Sequence, residues 1–440
     1  MKALKHVKVI ASLLAVMMLL SGCSLGFFKA ADELIDPISP TGESASLRNA
    51  LDIYCKDGYS LKTPLNCEYK TSFINYDLDF DNDDEFIVFY QPFSAPDRTD
   101  LAIIDNVGGN YNVVFNLEGE GKNVYSVEFV NLNDDDFAEL VILWDTDSNP
   151  VKHMLSVYKQ VNDNGGISFI KSGKSLSASD YISVDINNAG VNELLIFNTE
   201  SKNSARATLY TLKNVGLRSR SSTKVDGHID SYKKIISENT DMGFCVFADA
   251  VKSDGSQMLT ELIIWSDYYD EIIAPYYSYS SGETKNTSRN SQLCSMDVNA
   301  DGYIEIPIDA SGISVPERVE AIDWKQYRNS VLKHVCYTLA VEKDGYQVLI
   351  PAEYFNQITV TYSDESSELT VSDKENNLIF SIMFLPKAVY HENPESYSSY
   401  TEISSDSVYI YLAECGNDSD IKITLENLKS MIKSYEGEVR

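Results

Sequence analysis

The sequence lacks the short motifs that mark most hydrolases, nucleotide-binding proteins and zinc proteins. It contains no HExxH, GxSxG or GxGxxG pattern, and its seven Cys include no CxxC pair. The five His are scattered and have no nucleophile-like context. These absences argue against a zinc ribbon, a thioredoxin-type site and the usual nucleophile and base arrangements. We therefore predict no catalytic residue and do not expect an enzyme.

Basic residues are scarce, because 36 Lys and Arg stand against 66 Asp and Glu, which gives a formal net charge of −30. A surface this acidic repels phosphate backbones, so nucleic acid is not an expected partner. The charge suits an exported protein that takes up divalent cations. The plain alternative is that it only keeps the chain soluble, since net charge says nothing about fold.

No hydrophobic run is long enough to span a bilayer. The N-terminal run, residues 9–20, has about a dozen apolar residues, whereas a spanning helix needs about 20. It follows three basic residues, Lys2, Lys5 and Lys8, and it ends in the sequence Leu20-Ser21-Gly22-Cys23. This order resembles the lipobox of bacterial lipoproteins. A general secretory signal with a chance Cys is the alternative.

The lipobox resemblance implies that residues 1–22 are a signal peptide and that Cys23 carries the lipid. We then expect residues 23–45 to tether the protein to the extracytoplasmic side of the cell membrane. Removal of the signal peptide takes away three Lys and no acid, which makes the mature chain still more acidic. Among the other Cys, Cys55 and Cys67 are close enough in sequence to pair, although buried free thiols are the simpler expectation.

A polar loop recurs along the chain. Each copy has Asp or Asn at alternate positions, Glu at the ninth position, and then a short apolar run. The clear copies are loop A (Asp77–Glu85), loop B (Asn131–Glu139), loop C (Asp185–Glu193) and loop E (Asp297–Glu305). Loops A to C start 54 residues apart and loop E starts two periods of 56 later. This spacing predicts a degenerate copy in the gap, with an enlarged loop D from Asp249 to Glu261.

Each period has room for about four short strands. A fixed period of this length without helices predicts a mainly β protein, a β-propeller of about five to seven blades. A sandwich of hairpins without radial symmetry is the alternative. We place the propeller at residues 46–330 and a small α+β domain at 331–440. The apolar spacing predicts one helix capped by Ser46 and another, capped by Thr424, that carries Leu425, Leu428, Ile432 and Tyr435 on one face.

The loops carry oxygen atoms at a spacing that suits Ca²⁺, which takes six to eight oxygen ligands. They are not EF-hands, because an EF-hand has its acid at position 12 and leads into a helix. Here the acid is at position nine and a strand follows. Asp and Asn at turns also cap backbone N–H groups without any ion, so the loops could be purely structural.

The pattern Asp-x-Asx-x-Asp-Gly-x-x-Glu, followed by an apolar strand, resembles the FG-GAP and VCBS repeats of propellers such as the integrin α-subunit head. In that family the loop joins the first two strands of a blade and often binds calcium. The resemblance implies these ligands: Asp77, Asp79, Asp81, Asp83 and Glu85 in loop A; Asn131, Asn133, Asp135 and Glu139 in loop B; Asp297, Asn299, Asp301 and Glu305 in loop E. Loop C has Ala189 at a ligand position, and loop D departs from the spacing.

The whole chain also resembles a group of uncharacterised clostridial-type lipoproteins, through the lipobox, the repeats and a Thr287-Ser-Arg289 stretch. We therefore expect a lipid-anchored binding or scaffold module with structural calcium and an unknown protein or glycan partner. Loop D and the stretch Tyr268–Arg289, with Tyr276, Tyr277 and Tyr279, are the candidate contact face. The alternative is an exported hydrolase that acts on carbohydrate or peptide from the propeller funnel.

Overall fold

The structure is a computed structural model that describes residues 42–435 apart from 68, 70, 79–82, 134, 136, 148–151, 164–165, 214–215 and 241–242. Within these residues the chain consists mainly of antiparallel β-sheets, which confirms the predicted mainly β class. No described helix lies between Tyr59 and Val319, and none of the described helices is long and apolar enough to cross a membrane. The signal peptide, Cys23 and most of the tether lie outside the described residues.

The chain forms two compact units, and the smaller one comprises Met1–Lys56 with Asn106–Val113. Its helix α1 spans Glu43–Tyr54, and the Tyr111 hydroxyl donates to Glu43 over 2.7 Å. The predicted cap at Ser46 is wrong, because the helix begins three residues earlier and follows Gly42. The buried side chains of α1 are Leu47, Ala50 and Leu51.

The larger unit comprises Asp57–Asp105 and Val114–Arg440. The sheets of the chain follow one another in sequence order. Sheet 1 contains β1 (Tyr59–Lys62), β2 (Phe73–Tyr76), β3 (Glu85–Pro92), β4 (Asp100–Val107) and β5 (Asn110–Leu117). Sheet 2 contains β6 (Asn123–Val130), β7 (Glu139–Asp145), β8 (His153–Asp163), β9 (Gly166–Lys171) and β10 (Leu176–Ala178). Sheet 3 contains β11 (Asp180–Val184), β12 (Glu193–Asn198), β13 (Arg206–Lys213) and β14 (Gly216–Lys224).

Sheet 4 contains β15 (Ile229–Thr240), β16 (Gly243–Lys252), β17 (Met258–Ser266) and β18 (Glu271–Ile273), and a hairpin of β19 (Tyr277–Ser278) and β20 (Glu283–Thr284) follows it. Sheet 5 contains β21 (Glu305–Asp309), β22 (Glu320–Arg328), β23 (Val331–Val341), β24 (Tyr346–Ile350) and β30 (Ile432–Ser434). Sheet 6 contains β25 (Ile358–Ser363), β26 (Glu368–Asp373), β27 (Leu378–Pro386), β28 (Thr401–Ser405) and β29 (Tyr409–Cys415). The remaining described α-helices are α2 (Ala352–Phe355), α3 (Lys387–Glu392) and α4 (Leu425–Met431), and 3-10 helices span Glu342–Asp344 and Pro394–Tyr397.

Successive sheets pack face to face, and their central strands are apolar on both sides. In β7, Leu140 and Ile142 pack against sheet 1, whereas Val141 and Leu143 pack against sheet 3. Further apolar clusters join sheet 3 to sheet 4, sheet 4 to sheet 5 and sheet 5 to sheet 6. A strand that is buried on both faces needs a continuous apolar run rather than an alternating one. This is why an unbroken apolar run follows the Glu of loops A to C.

The predicted domain boundary at residue 330 falls in the turn between two paired strands of sheet 5, since Arg328 pairs with Val331. Strands β23 and β24 therefore complete the fifth sheet, and the chain returns to this sheet through β30 after leaving sheet 6. A segment of residues 387–400 covers one face of sheet 6, through contacts of its tyrosines with buried apolar residues.

The C-terminal helix begins as predicted. Thr424 accepts from the backbone N–H of Asn427, and Asn427 reaches back to the Thr424 backbone, which completes a capping box. The predicted extension of the helix is wrong, because Ile432 begins strand β30 instead. The described Cys residues are free thiols, so the open possibility of a Cys55 and Cys67 disulfide is not realised.

Candidate functional site

The glutamates that end loops A, B, C and E are buried, and each is the first residue of a strand. In loops A, B and E a glutamate oxygen accepts the backbone N–H of the second loop residue, over 2.7, 2.9 and 3.0 Å. The loop is thus closed by its own ninth side chain. Burial raises the pKa of Glu139 and Glu193, and it raises that of Glu305 to about 7.

Loop A joins β2 to β3, which pair along their length. Asp77 has a buried Oδ1 atom without a hydrogen-bond partner among the described residues. Asp83 is exposed at the end of the loop, while Asp79 and Asp81 lie outside the described residues. An unpartnered carboxylate oxygen is the kind of ligand that a hard cation takes up, so the described part of loop A fits Ca²⁺.

Loop B joins β6 to β7, and its side chains already have partners. Asn131 and Asn133 accept backbone N–H groups two residues ahead, and Asn133 donates to Glu139 over 2.6 Å. The Lys159 ammonium lies 2.8 Å from Asp135. Burial alone would raise the pKa of Asp135, but the contacts with Lys159 and the Phe137 N–H lower it. A bound ammonium group at Asp135 takes the place of a metal ion, so loop B does not fit Ca²⁺.

Loop C joins β11 to β12, and, as in loop B, a basic side chain from elsewhere in the sheet bonds to one of its carboxylates. Both oxygens of Asp185 accept backbone N–H groups of the loop, from Ala189 and Gly190. The Arg220 guanidinium donates to Glu193 over 2.9 Å. The arrangement does not fit a metal, in agreement with the missing ligand at Ala189.

Loop E precedes β21, and its Glu305 forms an isolated bridge with Met296. Asp297 accepts from the N–H groups of Asp301 and Gly302, and Gly302 has a φ of 86°, which only glycine adopts easily. The Gln326 amide donates to Asp301 and to Glu305. Within the described residues these carboxylates form no ion pair, although the nearby charge of Arg328 contributes to lowering the pKa of Asp301. The Gln326 amide can rotate to offer its oxygen, so loop E fits a hard cation.

Sheet 4 contributes a further carboxylate to loop E. Glu238 on β15 accepts the Ile304 N–H over 2.5 Å, and its Oε1 atom is buried without a hydrogen-bond partner among the described residues. Burial, together with the charges of Asp301 and Asp297, raises the pKa of Glu238 to about 7. Sequence reasoning missed this residue because it lies 66 positions before its partner. Across the described residues no group of three or more acidic, His or Cys side chains has a metal-binding arrangement.

The predicted loop D is wrong. Asp249 and Glu261 lie in the paired strands β16 and β17, where Asp249 is opposite Thr260, and only a short turn at residues 253–257 joins the strands. Both acids are fully buried. They cannot belong to an exposed contact face, since they bond to Arg289 and Asp226, which lie outside the strands of sheet 4.

Arg289 is the centre of one of these buried contacts, and its side chain is fully buried. It donates to Asp249 over 2.8 Å, to the Thr260 hydroxyl over 2.9 Å and to the Leu293 carbonyl. Asp249 also accepts the Ser295 N–H over 2.7 Å. Every charged group therefore has several partners, which is the condition under which a buried ion pair is tolerated.

A second buried contact surrounds Glu261. It accepts the Asp226 N–H over 2.6 Å and the Thr284 hydroxyl over 2.7 Å. The Asp226 carboxylate lies 2.9 Å from Nδ1 of His228, whose side chain is one-third exposed. Burial raises the pKa of Glu261 to about 7. The hairpin of β19 and β20 is thereby fixed to sheet 4.

The stretch Tyr268–Arg289 is exposed only in part. Tyr268, Tyr269 and Tyr279 are 88%, 64% and 76% exposed, whereas Tyr276 and Tyr277 are half-buried. Tyr268 and Tyr269 form an edge-to-face pair with centroids 4.8 Å apart. Exposed tyrosines are compatible with the predicted contact face, while the end of the stretch belongs to the core.

A cleft of about 610 Å³ lies between sheets 2 and 3, where loops B and C meet. Its lining includes three basic side chains, Lys159, Lys213 and Arg220, together with Asp135 and Glu193. The volume falls within the range of small-molecule sites. Sequence reasoning missed the cleft, although basic residues are notable in so acidic a chain.

Comparison of the chain with protein family models and with curated protein sequences finds no match.

Proposed function

We propose that the chain is a lipoprotein on the extracytoplasmic side of the cell membrane, where it acts as a binding or scaffold module. The observation that supports the binding role is the series of packed antiparallel sheets. In sheets 1, 2 and 3, loops A, B and C each connect two paired strands, and the closing glutamate of the loop begins the second strand. Loops on a rigid scaffold can vary to fit a partner without disturbing the core.

In this proposal the sheets are blades of a propeller with FG-GAP or VCBS-like repeats. The face-to-face packing of consecutive sheets supports it, and so does the position of the loops between the first strands of a sheet. A propeller additionally needs its terminal blades to pack against each other. A crystal structure of residues 24–440 that shows an open stack would contradict the propeller but leave the binding role untouched.

The membrane anchor rests on Cys23 and the preceding signal peptide. We expect the native protein to incorporate a labelled fatty acid and to sediment with membranes. Cys23→Ser should abolish the label and release the protein, while Cys67→Ser, a matched change at a free thiol, should leave both unchanged. Retention of the label by the Cys23 variant would refute the anchor.

Calcium, in this proposal, is structural rather than catalytic. Asp77 in loop A, and Asp297, Asp301 and Glu305 in loop E, would hold it, because these carboxylates form no ion pair with any described residue. A bound ion would supply positive charge that offsets the repulsion between these carboxylates. Loops B and C already have Lys159 and Arg220 for this purpose.

The test of the binding role is affinity capture from the surface of the producing cell, combined with a glycan array probed with residues 24–440. We expect a saturable partner in at least one assay. Replacement of Tyr268 and Tyr269 by Ser should weaken it, and Tyr409→Ser on sheet 6 is the matched control. A failure to retain any specific partner in both assays would count against the binding role.

A hydrolase remains the second candidate because of the contact between Asp226 and His228. A buried carboxylate that accepts from Nδ1 of a His fixes its tautomer and leaves Nε2 as a base. Turnover of chromogenic glycoside or peptide substrates that disappears in His228→Asn, and persists in His391→Asn, would favour this candidate.

A further inference from the structure

The cleft between loops B and C has a charge balance that differs from the rest of the chain. Two of its carboxylates are already bound to cations: Asp135 to Lys159 over 2.8 Å and Glu193 to Arg220 over 2.9 Å. Lys213 is exposed, and its charge acts on Glu193, although within the described part of the chain the two form no ion pair. Among the described lining residues three cations therefore stand against two carboxylates, in a protein whose formal net charge is −30. This local excess favours a ligand with a single negative charge.

The other polar groups of the cleft suit hydroxyl groups. Asn133, Asn187, Asn192 and Thr211 line it. The Oδ1 atom of Asn187 is buried and has no hydrogen-bond partner among the described residues, although its amide donates to Glu193 over 2.7 Å. An unpaired buried acceptor is costly, so a shift of the Asn187 side chain that brings this oxygen to a ligand O–H group in the cleft would be favourable. Amide and hydroxyl side chains both donate and accept, as sugar hydroxyl groups do.

One side of the cleft continues into an aromatic surface. The Arg220 guanidinium lies 4.4 Å from the centre of the Trp265 ring, and it approaches Asp270 at 3.6 Å. Asp270 is in the turn that exposes Tyr268 and Tyr269. Aromatic faces with adjacent hydrogen-bonding groups provide amphipathic contact area for a sugar ring.

We propose that this cleft binds a small polyhydroxylated monocarboxylate of the hexuronate class, such as the acidic end of a glycan. The carboxylate lies at Lys213 and Arg220, and the hydroxyl groups reach the asparagine side chains. The inference deepens the proposed binding role and rests on it, since it names the ligand of one part of the surface.

The test is calorimetric titration of residues 24–440 with D-glucuronate, with glucose and acetate as separate probes. Fluorescence offers a second readout, because Trp265 contacts Arg220 while Trp144 and Trp324 are fully buried. We expect saturable binding of glucuronate, much weaker binding of glucose and acetate, and a change in Trp265 emission. Loss of one charge-assisted contact in Lys213→Gln should weaken binding by about tenfold or more.

Arg218→Gln is the matched control, because Arg218 is an exposed cation on β14 outside the cleft lining. Its affinity for glucuronate should equal that of the parent protein. The inference is overturned if glucuronate does not saturate, if acetate binds as well, or if both variants lose affinity equally. Absence of glucuronate binding together with a specific partner in the capture or array experiment would refute this ligand alone and leave the binding role standing.

Discussion

Sheets 4 and 5 satisfy their polar side chains in opposite ways. At the start of sheet 5, loop E is closed by hydrogen bonds within its own segment: Asp297, Asn299 and Glu305 accept N–H groups that lie two to seven residues away. In sheet 4 the strands β16 and β17 meet through a short turn, and Asp249 finds its partner Arg289 40 residues later. The arrangement of loop E recurs in several sheets because a single loop supplies both the donors and the acceptors of its hydrogen bonds. The distant arrangement depends on the folded sheet, and its loss should be more damaging.

The largest expected effect comes from Arg289→Met. Removal of one partner from a buried ion pair leaves Asp249 charged and uncompensated, which costs about 3–5 kcal/mol. We expect that decrease in the free energy of unfolding by urea. Lys152→Met is the control, because its contact with Asp230 is 3.8 Å long and about 60% exposed on both sides, and it should change stability by about 1 kcal/mol or less. Equal losses of unfolding free energy in the two variants would mean that the buried ion pair of sheet 4 contributes no more to stability than an exposed one.

The second effect is a pH dependence that originates in sheet 4. Burial raises the pKa of Glu261 from 4.5 to about 7. Between these values the folded chain binds a proton that the unfolded chain has released, so the contribution of Glu261 to stability is fully present below pH 4.5 and is lost as the pH rises towards 7. For one fully buried group the loss is roughly 3 kcal/mol, and it stays constant at higher pH.

Glu261→Gln tests this pH dependence, because the side chain at position 261 is then neutral at every pH. Urea unfolding at pH 5 and pH 7.5 should show a smaller difference for the variant than for the parent protein, and the variant should be the more stable at pH 7.5. Glu118→Gln, at a carboxylate whose side chain is 72% exposed, is the control. An unchanged pH dependence would contradict the assignment.

The same contrast explains how much could be predicted from the sequence. Loops A, B, C and E, the strands that follow them and the cap at Thr424 depend on partners a few residues apart, so pattern and spacing were sufficient. Loop D failed because Asp249 and Glu261 have the residue types of the repeat but bond to Arg289 and Asp226, which no local spacing indicates. The cleft was missed for a related reason, since Lys159 and Arg220 come together only when sheets 2 and 3 pack.

The third effect is stabilisation by calcium, and it tests whether loop E binds the ion while loop B, with its Lys159 ion pair, does not. After chelation, added calcium at about 100 times its dissociation constant should raise the free energy of unfolding by about 2.7 kcal/mol for one occupied site. Asp301→Asn in loop E should reduce this gain, whereas Asp135→Asn in loop B should not, because Lys159 already holds that carboxylate. A melting temperature that calcium leaves unchanged would refute the structural role of the metal.

The smallest effect should come from the closing glutamate of a self-contained loop. Glu139→Ala removes the acceptor of the buried Leu132 N–H and the partner of the Asn133 amide, for a cost of about 1–3 kcal/mol. The loop retains its other bonds, since Asn131 and Asp135 still accept N–H groups at 3.1 and 3.0 Å. The loss of unfolding free energy should therefore stay below that of Arg289→Met. A larger loss would mean that the closing glutamate, rather than the number of local bonds, holds the strand pair together.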